Sequence, residues 1–231
     1  MTNETLLEML DGNREHTESI PEDHFAAVQD AQHPDVVSVC CSDSRISQEG
    51  MWHVEEPGWL FTPSNIGNQA WDEDDGDLVV NGNLLYPVAH TDTKTIAVVG
   101  HTGCGAVTAT YQAVTGDGGD EPAGIAKWVR LLTPVVEEGL DSDAVDADAD
   151  DETVVNQLVE YNVDAQVEFL RESDEVPDDA NVYGFVYDFQ GVYGDVHGRA
   201  YLTNLDGETD TDAIADALPD EYDAFAKRLL E

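Results

Sequence analysis

Two apolar runs stand out from an otherwise mixed chain. Residues 36–40 (Val-Val-Ser-Val-Cys) and 95–100 (Thr-Ile-Ala-Val-Val-Gly) are short apolar runs rich in β-branched residues, and each predicts a strand. Trp59-Leu60-Phe61-Thr62, closed by Pro63, and residues 182–187 predict two more strands. Tyr201-Leu202-Thr203 predicts an edge strand after the glycine-rich turn at 191–198. Elsewhere apolar positions recur at helical spacing. Leu6, Leu7, Met9 and Leu10 predict a helix over 4–17, and 18–33 a second, less regular helical piece stopped by Pro34. Helices are also expected over 78–90, with Pro87 inside, and over 105–115. Trp128, Val129, Leu132 and Val136 mark 125–140. Val155, Leu158, Val159, Val163, Val167 and Leu170 mark the longest helix, 153–171. Ile214, Leu218, Phe225 and Leu229 predict an acidic helix over 210–231. Residues 50–57 read as a loop or short helix, 71–77 as an acidic surface stretch, and 141–152 as a solvated link.

Strands separated by helices predict an α/β fold. The expectation is a central, mostly parallel sheet of four strands plus an antiparallel edge strand, flanked by helices. We read 1–231 as one domain: an N-terminal helical arm (1–33), an α/β core (34–205) and a C-terminal acidic helix (206–231). No internal repeat is visible.

Charge changes the picture. Asp and Glu number 50 against 9 Lys and Arg, a formal net charge of −41, while hydrophobic content is 41%. The chain can bury a core, yet its surface repels itself and holds water and cations. Nucleic acid and anionic membrane are excluded as surface partners. Because the acid is spread along the whole chain, it reads as adaptation to a very salty cytoplasm, hence a halophile. No apolar run approaches membrane-spanning length, and the first residues lack a basic-then-apolar leader pattern. The expectation is a cytoplasmic protein with reduced thiols.

Two of the three cysteines fall at the ends of the apolar runs. Cys41-Ser42-Asp43-Ser44-Arg45 follows the first, and His101-Thr102-Gly103-Cys104 follows the second. In parallel sheets ligands gather at the carboxyl ends of strands, so both motifs are expected at one site. Two thiolates and one imidazole suit zinc. Three protein ligands leave a fourth position open, and zinc there lowers the pKa of bound water to roughly 7. Asp43, two residues from Arg45, is expected to be gripped bidentately and to act as a fixed acceptor beside the metal. Released, it would occupy the fourth position and close the site. Cys40 should point to the opposite face as a buried small hydrophobe. His16, His24, His33, His53, His90 and His197 lack ligand spacing, although His53 is a candidate proton relay.

At these residues the chain resembles the β-class carbonic anhydrases. Leu10-Asp11-Gly12-Asn13-Arg14, Asn65-Ile66-Gly67-Asn68, residues 162–167 and Tyr183-Gly184-Phe185-Val186-Tyr187-Asp188 follow the family's further motifs in order. The resemblance implies zinc ligands Cys41, His101 and Cys104, with Asp43 and Arg45 as the catalytic dyad. It implies reversible hydration of CO₂ to bicarbonate and a proton, with Gly103 and Gly105 lining the substrate pocket. It also implies a homodimer or larger homo-oligomer, the arm lying across a partner subunit. The chain departs from the family at Ser64, where arginine is usual. It departs again at 83–87 (Asn-Leu-Leu-Tyr-Pro), and it has Ser38 where a bicarbonate-regulated subclass has tryptophan. That last difference favours the open arrangement. Two other readings share the scaffold: a carbon disulfide or carbonyl sulfide hydrolase, and a non-catalytic zinc-stabilised binding protein closed by Asp43.

Overall fold

The two apolar runs become the centre of the sheet. In chain order the elements are α1 (Glu4–Ser19), β1 (Val36–Cys41), α2 (Gln48–Met51), β2 (Leu60–Phe61), β3 (Ser64–Asn65), β4 (Trp71–Asp74) and β5 (Asp77–Val80). Then follow α3 (Gly82–His90), β6 (Thr95–His101), α4 (Gly105–Thr115), α5 (Ala123–Asp141), α6 (Asp151–Glu172), β7 (Asn181–Asp188), β8 (Arg199–Leu205) and α7 (Thr211–Ala217). A 3₁₀ turn at Asp220–Phe225 follows α7. The computed structural model describes residues 3–230; the first two residues of the expected arm and the last of the expected C-terminal helix lie outside the described residues.

The main sheet runs β2-β1-β6-β7-β8, with the short β3 also paired to β1. β1, β2, β3, β6 and β7 are parallel, and β8 joins antiparallel at the edge, as the sequence suggested. Every β1 residue after Val36 is buried, and so is every β6 residue after Thr95. Helices cover the faces, and α6 supplies much of the core through Leu158, Val159, Val163, Val167 and Leu170. Its approach to β6 is close at Gly100. A Cβ there would lie 2.8 Å from Val163 Cγ2 and 3.0 Å from Val159 Cγ1, so only glycine lets helix and strand meet.

Four expectations need correction. Residues 18–33 do not form a second helix: α1 runs to Ser19, and the rest is isolated turns such as His24 N–H to Pro21 O and Val28 N–H to Phe25 O. Nothing between 21 and 33 is buried, so no packed face supports a helix there. The acidic stretch 71–77 is instead one side of a β-hairpin, β4 against β5, so the helix expected from 78 starts only at Gly82. Its turn, Asp75-Gly76, has both φ angles positive (49° and 95°), the geometry that Asp-Gly favours. Lys127–Asp72 (2.5 Å) and Arg130–Glu73 (2.6 Å) tie the hairpin to α5. The C-terminal helix also breaks. α7 is capped by Asp210, which accepts from Ala213 N–H, and it stops before Leu218-Pro219, because proline cannot continue it. Beyond the 3₁₀ turn the chain runs inward, and Leu230 is buried.

Candidate metal centre

β1 and β6 are parallel neighbours with Cys40 opposite Val99, so their carboxyl ends emerge together. Cys41 ends β1 and His101 ends β6; Cys104 is the N-cap of α4. Gly103 makes the reversal between β6 and α4 at φ +61°, with Gln190 within 3.0 Å of where a Cβ would stand. Its N–H donates to Asn156 Oδ1 (2.9 Å). The result brings three buried donors, Cys41, His101 and Cys104, within 4.8 Å of one another.

The donor set fits zinc on two observations. His101 Nδ1 lies 3.0 Å from the Thr102 carbonyl, which only accepts, so Nδ1 is the donor and Nε2 is the nitrogen left to offer a lone pair to a metal. Nε2 is buried with no hydrogen-bond partner among the described residues, an arrangement that costs energy unless something binds it. The two sulfurs lie 3.8 Å apart. Two sulfurs at about 2.3 Å from one tetrahedral zinc would be separated by about 3.8 Å. Cys104 donating to Cys41 pulls the Cys41 thiol below the usual range, helped by His101 and by Gly67 N–H at 3.5 Å. That shared hydrogen bond and burial push Cys104 well up.

Gly67 N–H is aimed by a buried polar relay. Asn65 exchanges hydrogen bonds with Gln69, and Asn162 donates to Gly67 O (3.3 Å) while accepting from Gln166. Asp43 is gripped as expected: Arg45 Nε to Oδ1 is 2.9 Å, Nη2 to Oδ2 is 2.6 Å, and Arg45 N–H adds a third bond. These bonds hold its carboxyl down to about 2. Oδ2 lies 3.7 Å from His101 Nε2, beside the place a metal would take. Cys40 is fully buried on the opposite face, with its thiol pushed up to about 12 by burial.

Gly103 borders a cavity of about 220 Å³ with Thr108, Tyr111, Gln112, Val155 and Asn156. Gly105 does not line it, and nothing stands within 4 Å of where its Cβ would be. His53 is exposed, 3.9 Å from Glu55. Ser38 accepts from Trp52 Nε1 (3.4 Å), and Ser64 accepts from Gln48 Nε2 (3.1 Å). Sequence reasoning missed Phe189, Gln190 and Asn156, which reach the site from the loop after β7 and from α6. Their only signal was adjacency to Asp188 and membership of the longest helix.

A family model described as carbonic anhydrase matches residues 36–193. The carbonic anhydrase of Pseudomonas aeruginosa is 29% identical over 177 residues, 72% of this chain and 74% of that protein. Beta carbonic anhydrase 5, chloroplastic, of Arabidopsis thaliana is 30% identical over 107 residues, 46% of this chain; the match spans about a third of that protein (35%). The solved structure of a Coccomyxa β-carbonic anhydrase in complex with acetazolamide is 25% identical, with TM-score 0.65 over 92% of this chain and 90% of that one. A tetrameric β-carbonic anhydrase from Sordaria macrospora has the same fold at TM-score 0.68 and 22% identity, covering 87% of this chain and 97% of that one. With two sulfurs and a bare imidazole nitrogen converging where two parallel strands end, the chain belongs to the β-class carbonic anhydrase family.

Proposed function

We propose that this protein catalyses the reversible hydration of CO₂ to bicarbonate and a proton, with zinc held by Cys41, His101 and Cys104. The observation that carries this reading is the buried, unpartnered His101 Nε2, facing two sulfurs at zinc spacing and a carboxylate held just out of reach. Bound zinc supplies a water acidified towards neutral pH as nucleophile. Asp43 stays ionised throughout the physiological range and would accept a hydrogen bond beside a bound metal. Because Arg45 occupies both its oxygens, it acts as an acceptor rather than a fourth ligand, the open arrangement. Gly103 carries the wall of the neighbouring cavity and offers its carbonyl to Arg45 Nη2 (3.3 Å). Stopped-flow CO₂ hydration in concentrated KCl, with zinc analysis before and after a chelator, tests this. Hydration that survives full zinc removal, or zinc-loaded protein without hydration, rejects it.

Three further readings complete the proposal. The chain works as a homodimer or larger assembly with the arm on a partner, since Leu6, Leu7, Met9 and Leu10 on α1 are all exposed. Light scattering of the whole chain and of one lacking residues 1–19 should show loss of assembly in the shortened form. The protein is salt-adapted and works in a reducing cytoplasm, which suits its net charge and three free thiols. Among the described residues seven of the nine cationic side chains already pair with carboxylates, so most acid faces solvent unneutralised. Dilute buffer should therefore cause partial unfolding or dissociation; circular dichroism unchanged between 3 M and 0.05 M KCl would rule this out. Residues 1–231 act as one domain, a reading supported by a core cluster drawn from Val37 through Leu230.

A further inference from the structure

The Asp43–Arg45 pair has a weakness. Arg45's side chain is 48% exposed, and Asp43's is 16% exposed. An exposed ion pair between residues two apart is a weak constraint on a long side chain, and concentrated salt shortens the reach of its attraction to about 3 Å. Beyond a long bond to the Gly103 carbonyl (3.3 Å), something else must keep the guanidinium in the plane that grips both oxygens.

That something is Phe189. Its ring lies under the guanidinium, with Arg45 Cζ 4.5 Å from the centroid. The ring also neighbours His101 itself, stacked at 5.9 Å and 27°. Tyr187 leans on it at 6.2 Å. The backbone that carries the ring is fixed on both sides. Asp188 is buried and accepts from Gln190, Gly191 and Tyr193 N–H and from Thr102 Oγ1. The Phe189 carbonyl lies 3.0 Å from His197 Nδ1. The loop after β7 thus presents one aromatic face to the arginine of the dyad and to the imidazole of the metal centre.

We propose that Phe189 is a positioning residue, whose ring clamps Arg45 in its bidentate grip and so keeps Asp43 off the fourth metal position. The contact is short-range and desolvates one face of the guanidinium, so salt weakens it less than it weakens the charge pair. It also removes rotamers that Arg45 would otherwise visit. The inference rests on the carbonic anhydrase reading for its consequence, but the clamp itself is a property of the folded chain.

The test uses zinc-loaded protein in concentrated KCl, with variants Phe189→Leu and Phe189→Tyr. The chain has only six arginines, so the Arg45 Nε–Hε resonance is assigned by its loss in Arg45→Lys. In the wild type the ring below it should shift that proton upfield. Phe189→Leu should abolish the shift, lower kcat roughly tenfold at unchanged zinc content, and move the Co(II)-substituted visible spectrum towards carboxylate ligation. Tenfold corresponds to about 1.4 kcal/mol. Phe189→Tyr, which keeps an aromatic face, should restore the resonance and recover most of the lost rate. An Arg45 resonance unmoved in Phe189→Leu, or a Phe189→Tyr protein as impaired as Phe189→Leu, overturns the clamp. Should the wild type hydrate no CO₂, the functional reading fails, while the Co(II) spectrum of Phe189→Leu still decides the clamp.

Discussion

Replacing Glu160 with alanine should destabilise the protein far more than any surface carboxylate could. Glu160 on α6 is fully buried and gathers four donors: Tyr193 Oη (2.5 Å), Leu229 N–H (2.8 Å), Leu230 N–H (3.1 Å) and Arg228 Nε (3.3 Å). Alanine leaves two backbone N–H groups and a buried phenol without an acceptor. Arg228, 8% exposed, keeps only Asp164 and the Thr203 carbonyl. Breaking one side of a buried charge pair costs about 3–5 kcal/mol, and each orphaned donor about 1–3 kcal/mol. Water entering at the chain end recovers part of this, so we expect a net loss of about 4 kcal/mol. In a chain of this size that lowers Tm by roughly 8–16 °C. Thermal denaturation followed by circular dichroism in concentrated KCl reads it directly. Since Tyr193 N–H also bonds Asp188, the loop carrying Phe189 should loosen with the C-terminal segment. A Tm within 2 °C of wild type refutes the reasoning, because it would mean these donors find water without penalty.

Three other outcomes follow from the geometry. Asp43→Ala should lower kcat/KM at least about a hundredfold with zinc content unchanged, as elemental analysis and stopped-flow would show; loss of zinc instead makes Asp43 a ligand. Asp43 is held at about 2, below the usual 3.9 or so, so its stabilisation is complete above about pH 4 and lost as pH falls through 2. Discounted for the exposure of Arg45, the stability gap between wild type and Asp43→Asn should shrink by about 1 kcal/mol across that window, measured by denaturant unfolding; a gap that widens contradicts the sign. Gly100→Ala should cost about 1–3 kcal/mol by forcing Val159 and Val163 away from β6, and an unchanged unfolding midpoint would show that α6 yields freely.

What could be read from the chain was whatever its side chains advertise. β1 and β6 announce themselves because strands buried on both faces need unbroken apolar runs. α4 and α6 do so because one packed face fixes a helical period. Cys41, His101 and Cys104 were legible as a metal-binding cluster, and Asp43 and Arg45 as a charge pair beside it, because those side chains sit at short spacings at the ends of two apolar runs. The β4–β5 hairpin was hidden because acid fills its exposed positions, leaving Asp75-Gly76 as its only cue. Parts of the site that act through the main chain were equally hidden. Gly67 contributes an N–H and Gly103 a carbonyl, which every residue has; only the fold aims them. Phe189 reads in sequence as one more apolar residue, and its meaning appears only when Arg45 and His101 arrive on either side of it.

The neighbouring cysteines at the end of β1 set a demand on folding itself. Successive residues of a strand face opposite ways, so a slip of one position would send Cys40 towards the metal donors and Cys41 behind the sheet. Greasy patterning does little to forbid this, because β1 is buried on both faces. The correct alignment rests on a few polar fastenings, among them Ser38 to Trp52 and Arg45 Nη2 to the Gly103 carbonyl beyond β6. A molecule that settled one notch out would keep its helices and its spectrum and yet never assemble three donors. Correct threading here is a matter of small polar locks rather than of bulk.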